Sequence, residues 1–555
     1  MWKPGESWAR HASRLVLLAG AAVGLVCFFW YYRAGLTTLH YDAKAHLVVA
    51  RRIVDSRLPG YAQMGAHWLP LVHLLYLPFV WSDGQYRTAL LPSLISVVSF
   101  AVSGWLAYRI ARRAGAPAGA ALAAPAVLLG NPNLQFLQSA PLSEPLSMML
   151  ALLFVDSLTA WRGGDGRGLP WKAALWGALG ALCRYEGWLL PAGAILLLLY
   201  DHAARRLERG RALRAAALVG GAAALPLLLH FGYTYLELGD SIFHRVARGY
   251  GAPELTYRRP LLSAVYHFGE VAQAATILPL ALGVAGTVAC LLRPRDLGRR
   301  VPLLLLWSPA LVNIAALYWG LIYRVRYSVL LVPALAVWGS LMLDGAHRVR
   351  AALIACALAL MTLPWLSWAF PREWNYHFMY PGPGVLLLPA CALLLLFWVL
   401  AGKARTMPLV ILLLLGMHLP VLEGEHKAVL QEAREHEYQE PQRRRVIEGL
   451  RKLYDGTGIL IDMARHAPLI YDSGLPVREF VYNEGRPELW QGAVAAPRGV
   501  VGWLCGERGD AVWERLRADP DWARGYTPVV ETEDFVLYRL DDEYRRALMT
   551  GRKPG

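Results

Sequence analysis

Solid apolar blocks of about 15–25 residues recur along this chain, among them residues 15–32, 301–320, 351–368 and 385–400. A bilayer core about 30 Å thick is crossed by about 20 apolar residues in a helix, and only helices or closed barrels satisfy their backbone polar groups there. Barrel strands would read as short alternating segments, whereas these blocks are continuous Leu, Ala and Val, so the spans are helices. Composition agrees. The chain is 56% hydrophobic and 17% charged, against roughly 45–50% and about 25% in soluble proteins. The net charge of +15 lies mostly in short Arg/Lys clusters between the apolar blocks, which reads as membrane topology rather than nucleic-acid binding. The six cysteines form no CxxC pair and no disulfide framework.

The first block follows Lys3, Arg10 and Arg14 and lacks a convincing small-x-small cleavage site, so an uncleaved signal-anchor with a cytoplasmic N-terminus is expected. From there the basic clusters set the register: spans at about 15–32, 88–109, 117–131, 142–161, 171–183, 187–201, 214–231, 268–292, 301–320, 328–344, 350–368, 384–402 and 407–422 put at least two Lys or Arg in every inner loop. The segment "HWLPLVHLLYLPFVW" at 67–81 is short and rich in Pro and His, and is expected to be interfacial or re-entrant. Counting it as a span would move the basic clusters outside. About thirteen transmembrane helices result, with residues 1–422 as the membrane domain and an outer first loop at 33–87. The charged tail at 423–555 alternates β-like runs ("GILIDM", "GVVGWLC", "FVLYRL") with helical ones, predicting a small soluble α/β domain on the extracytoplasmic side of a plasma or inner membrane. It carries no Gly-rich phosphate loop and no metal-ligand cluster.

Ionisable groups near spans are costly unless they have a partner or a task. Most fall at the outer ends of helices: Asp42, Lys44 and His46 in "YDAKAH", His67 and His73 on the interfacial segment, Glu144 in "SEPL", Arg184 and Glu186 in "CRYEG", and Tyr323, Arg324 and Arg326 in "YRVRY". Each has two readings. Asp42 is a helix N-cap or loop carboxylate, or a general base. His67 and His73 are interfacial polar residues or substrate contacts. Glu144, just before Pro145, is a helix-start carboxylate or part of a site. Arg184 and Glu186 make a hinge ion pair or bind substrate. Two arginines in a short outer loop run against the charge bias and are expected to meet an anion, either a lipid headgroup or the phosphate of a substrate.

The order of a first-loop Asp, "HWLPLVHLLYLPF", "SEPLSMML", "CRYEGWLL" and "YRVRYSVLLVPALAV" resembles the glycosyltransferase-C (GT-C) superfamily, in particular the branch of protein O-mannosyltransferases and the lipid A aminoarabinose transferase. The resemblance covers about residues 10–345. It implies a polyprenyl-phosphate-linked sugar as donor, a glycan, lipid or protein hydroxyl as acceptor, and inverting transfer at the outer face of the bilayer. Asp42 matches the family's first-loop acid, the base. The second acid common after it is here Ala43, which weakens a metal role and leaves divalent-metal dependence open. His67 matches the His of the family's "HPPL" segment, with Trp68 and Leu69 departing from it; Glu144 matches an acid at the start of the fourth helix. Arg324 and Arg326 lie where family members present cations to the lipid-linked phosphate, and Lys44 is a further candidate cation for the leaving phosphate. Two other classes stay open, a transporter or flippase for lipid-linked sugars and a non-catalytic assembly protein. A transporter would group its charges near the midplane of matched halves, and no internal repeat is visible.

Overall fold

The apolar blocks form helices because no backbone polar group can be left unmatched in hydrocarbon. The computed structural model describes residues 4–164, 168–239, 256–292, 298–321, 323–343, 428–435, 440–486 and 488–550; the expected spans at 350–368, 384–402 and 407–422 lie outside the described residues. Among the described residues, six helices are long and apolar enough to cross a membrane: His11–Arg33, Leu90–Arg113, Ser143–Gly163, Arg209–Leu238, Gly298–Tyr318 and Val325–Met342. All six coincide with expected spans, and the chain is a multi-pass helical membrane protein. By contacts it divides into two compact units, residues 1–37, 93–228 and 246–432, and residues 38–92, 229–245 and 433–555.

In the first unit, two expected spans, 117–131 and 268–292, take broken forms, and the expected pair at 171–183 and 187–201 turns at its hinge. Residues 117–131 fold as two short helices, Ala118–Ala121 and Ala123–Leu129. Residues 171–201 fold as the helices Trp171–Cys183 and Leu189–Ala203 around a 3-10 turn, Tyr185–Trp188. At about 1.5 Å per residue, the 13-residue first arm reaches about 20 Å, short of a bilayer core. The turn is tight: a Cβ on Gly187 would lie 2.1 Å from the Gly180 carbonyl oxygen, so glycine is required there. The expected single helix over 268–292 is two, Pro260–Ala275 and Ile277–Leu291, separated by Thr276 at φ 64° and ψ 159°. The break frees the Ala274 carbonyl, which accepts hydrogen bonds from the side-chain amides of Asn131 (2.7 Å) and Asn133 (3.2 Å). Beyond the break, Gly283 and Gly286 allow backbone-close packing on the helix Val332–Met342: Cβ atoms on them would lie 2.7 Å from Leu335 Cα and 2.2 Å from the Trp338 carbonyl oxygen.

The second unit joins the first loop to the tail. The loop, expected to carry an interfacial or re-entrant segment at 67–81, contains helices Tyr41–Arg52, Leu71–Val80 and Asp83–Thr88 and a 3-10 turn, Tyr61–Met64. The helix Leu71–Val80 lies inside the segment expected to be interfacial. The tail supplies five strands, β1 (Ile459–Leu460), β2 (Phe480–Val481), β3 (Trp503–Glu507), β4 (Tyr526–Glu531) and β5 (Phe535–Leu540), in the order β2-β1-β3-β5-β4. β1 runs parallel to β2 and β3; β5 runs antiparallel to β3 and β4. Pro528, which cannot donate to a ladder, sits on edge strand β4 beside its bulge. One face buries Leu460, Val481, Leu504, Trp522 and Leu540 in a common core. On the helix Glu440–Leu453, Gly449 lies against Val530 and Leu537 of β4 and β5.

Loop and tail are tied by arginines of the loop. Arg87 donates to the carbonyls of Tyr471, Gly474 and Leu475, and Arg57 to that of Arg478. Asp55 takes the Arg478 guanidinium at 2.9 Å, and Tyr482 donates to Gln63 at 2.9 Å.

Candidate functional site

The expected site residues fall into two groups, one in each unit. In the first unit, the helix Ser143–Gly163 places Glu144 in its first turn with no exposed surface. Its Oε1 accepts a hydrogen bond from Arg184 Nη1 and forms an ion pair with Arg326 Nη1, each at 2.9 Å. Arg184 also grips Glu186 with two parallel bonds, Nε to Oε2 at 3.2 Å and Nη2 to Oε1 at 2.9 Å, and donates to Ser143 Oγ at 2.8 Å. Fork-on-carboxylate geometry of this kind is the strong form of an ion pair. Burial works against the Arg184 charge, but Glu186 and then Glu144 more than offset it and hold the guanidinium protonated. The Tyr327 ring lies under both arginines, 4.9 Å from the Arg184 guanidinium and 5.0 Å from that of Arg326.

Glu144, Arg184, Glu186 and Arg326 are thus one network of two cations and two anions. Among the described residues Arg326 pairs with Glu144. The same turn carries Tyr323 and Arg324. The Tyr323 hydroxyl bonds His267 Nδ1 at 2.8 Å, and its ring stands edge-on to Tyr327 at 6.1 Å. Arg324 is half-buried, its carbonyl accepts from the Tyr327 amide at 2.9 Å, and its guanidinium forms no ion pair among the described residues. Asn313 donates to the Tyr327 carbonyl at 3.2 Å and Glu432 accepts from the Arg326 amide at 3.4 Å, so the turn is held at several points.

In the second unit, Asp42 stands half-buried in the first turn of the helix Tyr41–Arg52. His40 is the N-cap, its Nδ1 accepting the Asp42 amide at 3.0 Å. Lys44, expected at the phosphate, has its ammonium 2.8 Å from Asp472. His46 and His73 face each other, Nδ1 to Nε2 at 3.0 Å, and His73 Nδ1 lies 3.2 Å from the Leu69 carbonyl. A carbonyl only accepts, so His73 carries its proton on Nδ1. Burial, with Arg52 nearby, pushes the His73 pKa down to about 3, so the ring is neutral and its Nε2 accepts from His46. That assigns the His46 proton to Nδ1. Trp68 stands edge-on to His46 at 4.0 Å, and His67 lies beside Trp68 at 6.0 Å.

Tyr327, His267, Glu432, His40 and Asp472 were not singled out by sequence reasoning. Tyr327 carried a signal, as the aromatic end of "YRVRY". Asp472 carried none, since 428 positions separate it from Lys44. Among the described residues no three His, Cys, Asp or Glu side chains are placed to hold a metal ion.

Comparison with solved structures places this architecture. The structure of ArnT from Cupriavidus metallidurans bound to undecaprenyl phosphate matches with a TM-score of 0.57 and 13% identity, covering 95% of this chain and 98% of that one. The apo structure of the same protein matches at 0.54 and 13%, covering 94% and 97%. The arabinosyltransferase EmbB from Mycobacterium smegmatis matches at 0.47 and 15%, covering 77% of this chain and 41% of that one. No family model matches the sequence, and no curated protein matches it. The chain shares the fold of ArnT along nearly its whole length.

Proposed function

We propose that this chain is a membrane glycosyltransferase that moves a sugar from a polyprenyl-phosphate carrier to a hydroxyl acceptor on the outer face of the membrane, with inversion. The observation that carries this reading is the end-to-end match to a transferase fold whose solved structure holds undecaprenyl phosphate. In the reaction the acceptor oxygen bonds to the anomeric carbon and gives its proton to a base. The carbon–oxygen bond to phosphate breaks, and its electron pair leaves on the lipid phosphate. No nucleotide or redox partner is required.

Asp42 is the base, a half-buried carboxylate at the start of a capped helix. Arg324 is the cation for the leaving phosphate, because its guanidinium has no ion pair among the described residues, while Arg184 and Arg326 are already engaged by Glu144 and Glu186. These four, with Tyr327, fix the turn that bears Arg324. Tyr323 belongs to the same turn. Lys44, held by Asp472, is a structural cation. His46, with its tautomer set by His73, and His67 offer hydrogen bonds to sugar hydroxyls. In this reading the N-terminus is cytoplasmic and residues 423–555 lie outside. Thirteen spans and a soluble α/β tail complete the proposed architecture.

The test compares envelope glycans of cells that carry wild type or Asp42→Ala at matched protein levels, in a strain where deleting the gene alters the profile. Asp42→Ala is expected to reproduce the deletion profile; a wild-type profile would overturn the role of Asp42.

A further inference from the structure

Asp42 shares its helix with two residues held from the tail. Tyr41 directly precedes it and lies beside Ala467 of the tail. Lys44, two residues after it and buried, is bound to Asp472 at 2.8 Å. Both contacts come from one tail helix, Met463–Ser473. Positions 41 and 44 are three apart and so lie on one face of their helix, with position 42 about 100° around the axis from 41. Anchoring 41 and 44 therefore sets the rotation of the helix and with it the direction of the Asp42 carboxylate.

The anchor itself is fixed. Pro468 lies within the tail helix, which is kinked at His466 (φ −112°, ψ 16°), next to the Ala467 that Tyr41 lies beside. His466 is 1% exposed, with Nε2 2.7 Å from Asp510 and Nδ1 3.6 Å from Glu507 at the end of β3. Asp510 is in turn pinned by the amides of Glu507 and Trp513, each at 2.7 Å. Hydrogen bonds thus hold the kink to the end of β3, and the Lys44–Asp472 ion pair joins the same tail helix to the helix of the base.

We propose that the tail helix Met463–Ser473 is the positioning element for Asp42, acting through Tyr41 and through the Lys44–Asp472 ion pair. The tail is then part of the catalytic apparatus rather than a separate binding module. This rests on the reading of Asp42 as the base. Misplacing a reacting group by about 1 Å costs about 100-fold in rate, and two tethers on one face restrain a rotation of that size.

The experiment uses the purified full chain in liposomes with an undecaprenyl-phosphate-linked sugar that the wild type consumes. Tyr41→Phe and Asp472→Asn are expected to lower kcat about tenfold each, with KM for the donor changed less than about twofold. Asp472→Lys alone is expected to be as poor, and the charge swap Lys44→Asp with Asp472→Lys to regain most of the lost kcat. A folded charge swap that stays as poor as Asp472→Lys would assign Lys44 to substrate and overturn the proposal, as would losses confined to KM. Amide hydrogen exchange is read in parallel on the same variants. In Asp472→Asn, faster exchange over 41–52 with unchanged protection over 90–113 is expected; unchanged exchange over 41–52 overturns the tether whatever the activity. If the wild type is inert toward every polyprenyl-phosphate sugar offered, the transferase reading fails while the exchange result still decides the tether.

Discussion

Glu144 shows how much a single buried carboxylate organises. It pairs with two guanidiniums and has no exposed surface, so removing its charge takes an anion from two cations in a place shielded from water. Breaking one side of a buried pair costs about 3–5 kcal/mol, because the remaining charge is uncompensated. Glu144→Gln and Arg326→Gln are each expected to lower the thermal midpoint in detergent sharply, and the double variant to lose less than the sum of the two. Strict additivity would show that the pair is not coupled. His73 gives a pH signature. Its folded pKa of about 3 lies below the ordinary histidine value of 6.5, so the unfolded chain binds the extra proton first. The stability it contributes is full above about pH 6.5 and is lost as pH falls toward about 3. Thermal midpoints measured between pH 7 and pH 5 are expected to fall less steeply in His73→Asn than in wild type; equal slopes would contradict the assignment. The residue types at these positions were legible in the sequence from their cost near a membrane. Their partners were not: "YRVRY" signalled that arginines meet an anion, but nothing local in it indicated that Arg326 would meet Glu144 rather than a lipid phosphate.

At the scale of elements, the break at Thr276 is the most informative departure from the sequence expectation. A β-branched residue with φ 64° and ψ 159° occupies backbone space that favours glycine, at a cost of about 1–3 kcal/mol. Thr276→Gly is expected to raise stability by about 1 kcal/mol. Replacing both Asn131 and Asn133 by Ala is expected to lower it by about 1–3 kcal/mol, since the Ala274 carbonyl would lose both donors in a buried place. Thermal melts of the two variants check the pair, and the same sign for both would contradict this account of the break. Pro279 was the signal available in the sequence, because its ring excludes the carbonyl four residues back and removes a donor. It is not decisive alone, as Pro226 lies inside the unbroken helix Arg209–Leu238. The hinge at "CRYEG" was legible for a firmer reason. Two apolar runs separated by charges and a glycine can only turn there, and the 3-10 turn Tyr185–Trp188 sits at that point.

For the whole molecule, the multi-pass helical fold followed from apolar block length, and the GT-C resemblance from short motifs in order along the chain. The grouping of first loop with tail in one compact unit did not follow, because it depends on pairs such as Asp55–Arg478 and Lys44–Asp472 that no local pattern encodes. The chemistry proposed for the molecule is transfer from a lipid phosphate with Asp42 as base and Arg324 on the leaving group. The most direct measurement follows undecaprenyl phosphate released from a panel of undecaprenyl-phosphate-linked pentoses and hexoses by the purified chain in liposomes, with envelope from a deletion strain as acceptor. Wild type is expected to release lipid phosphate in step with sugar transferred, with Asp42→Asn slower by about 100-fold or more and Arg324→Ala slower by about 10–100-fold. Release at the wild-type rate by Asp42→Asn, or sugar crossing the bilayer with its phosphate still attached, would contradict it.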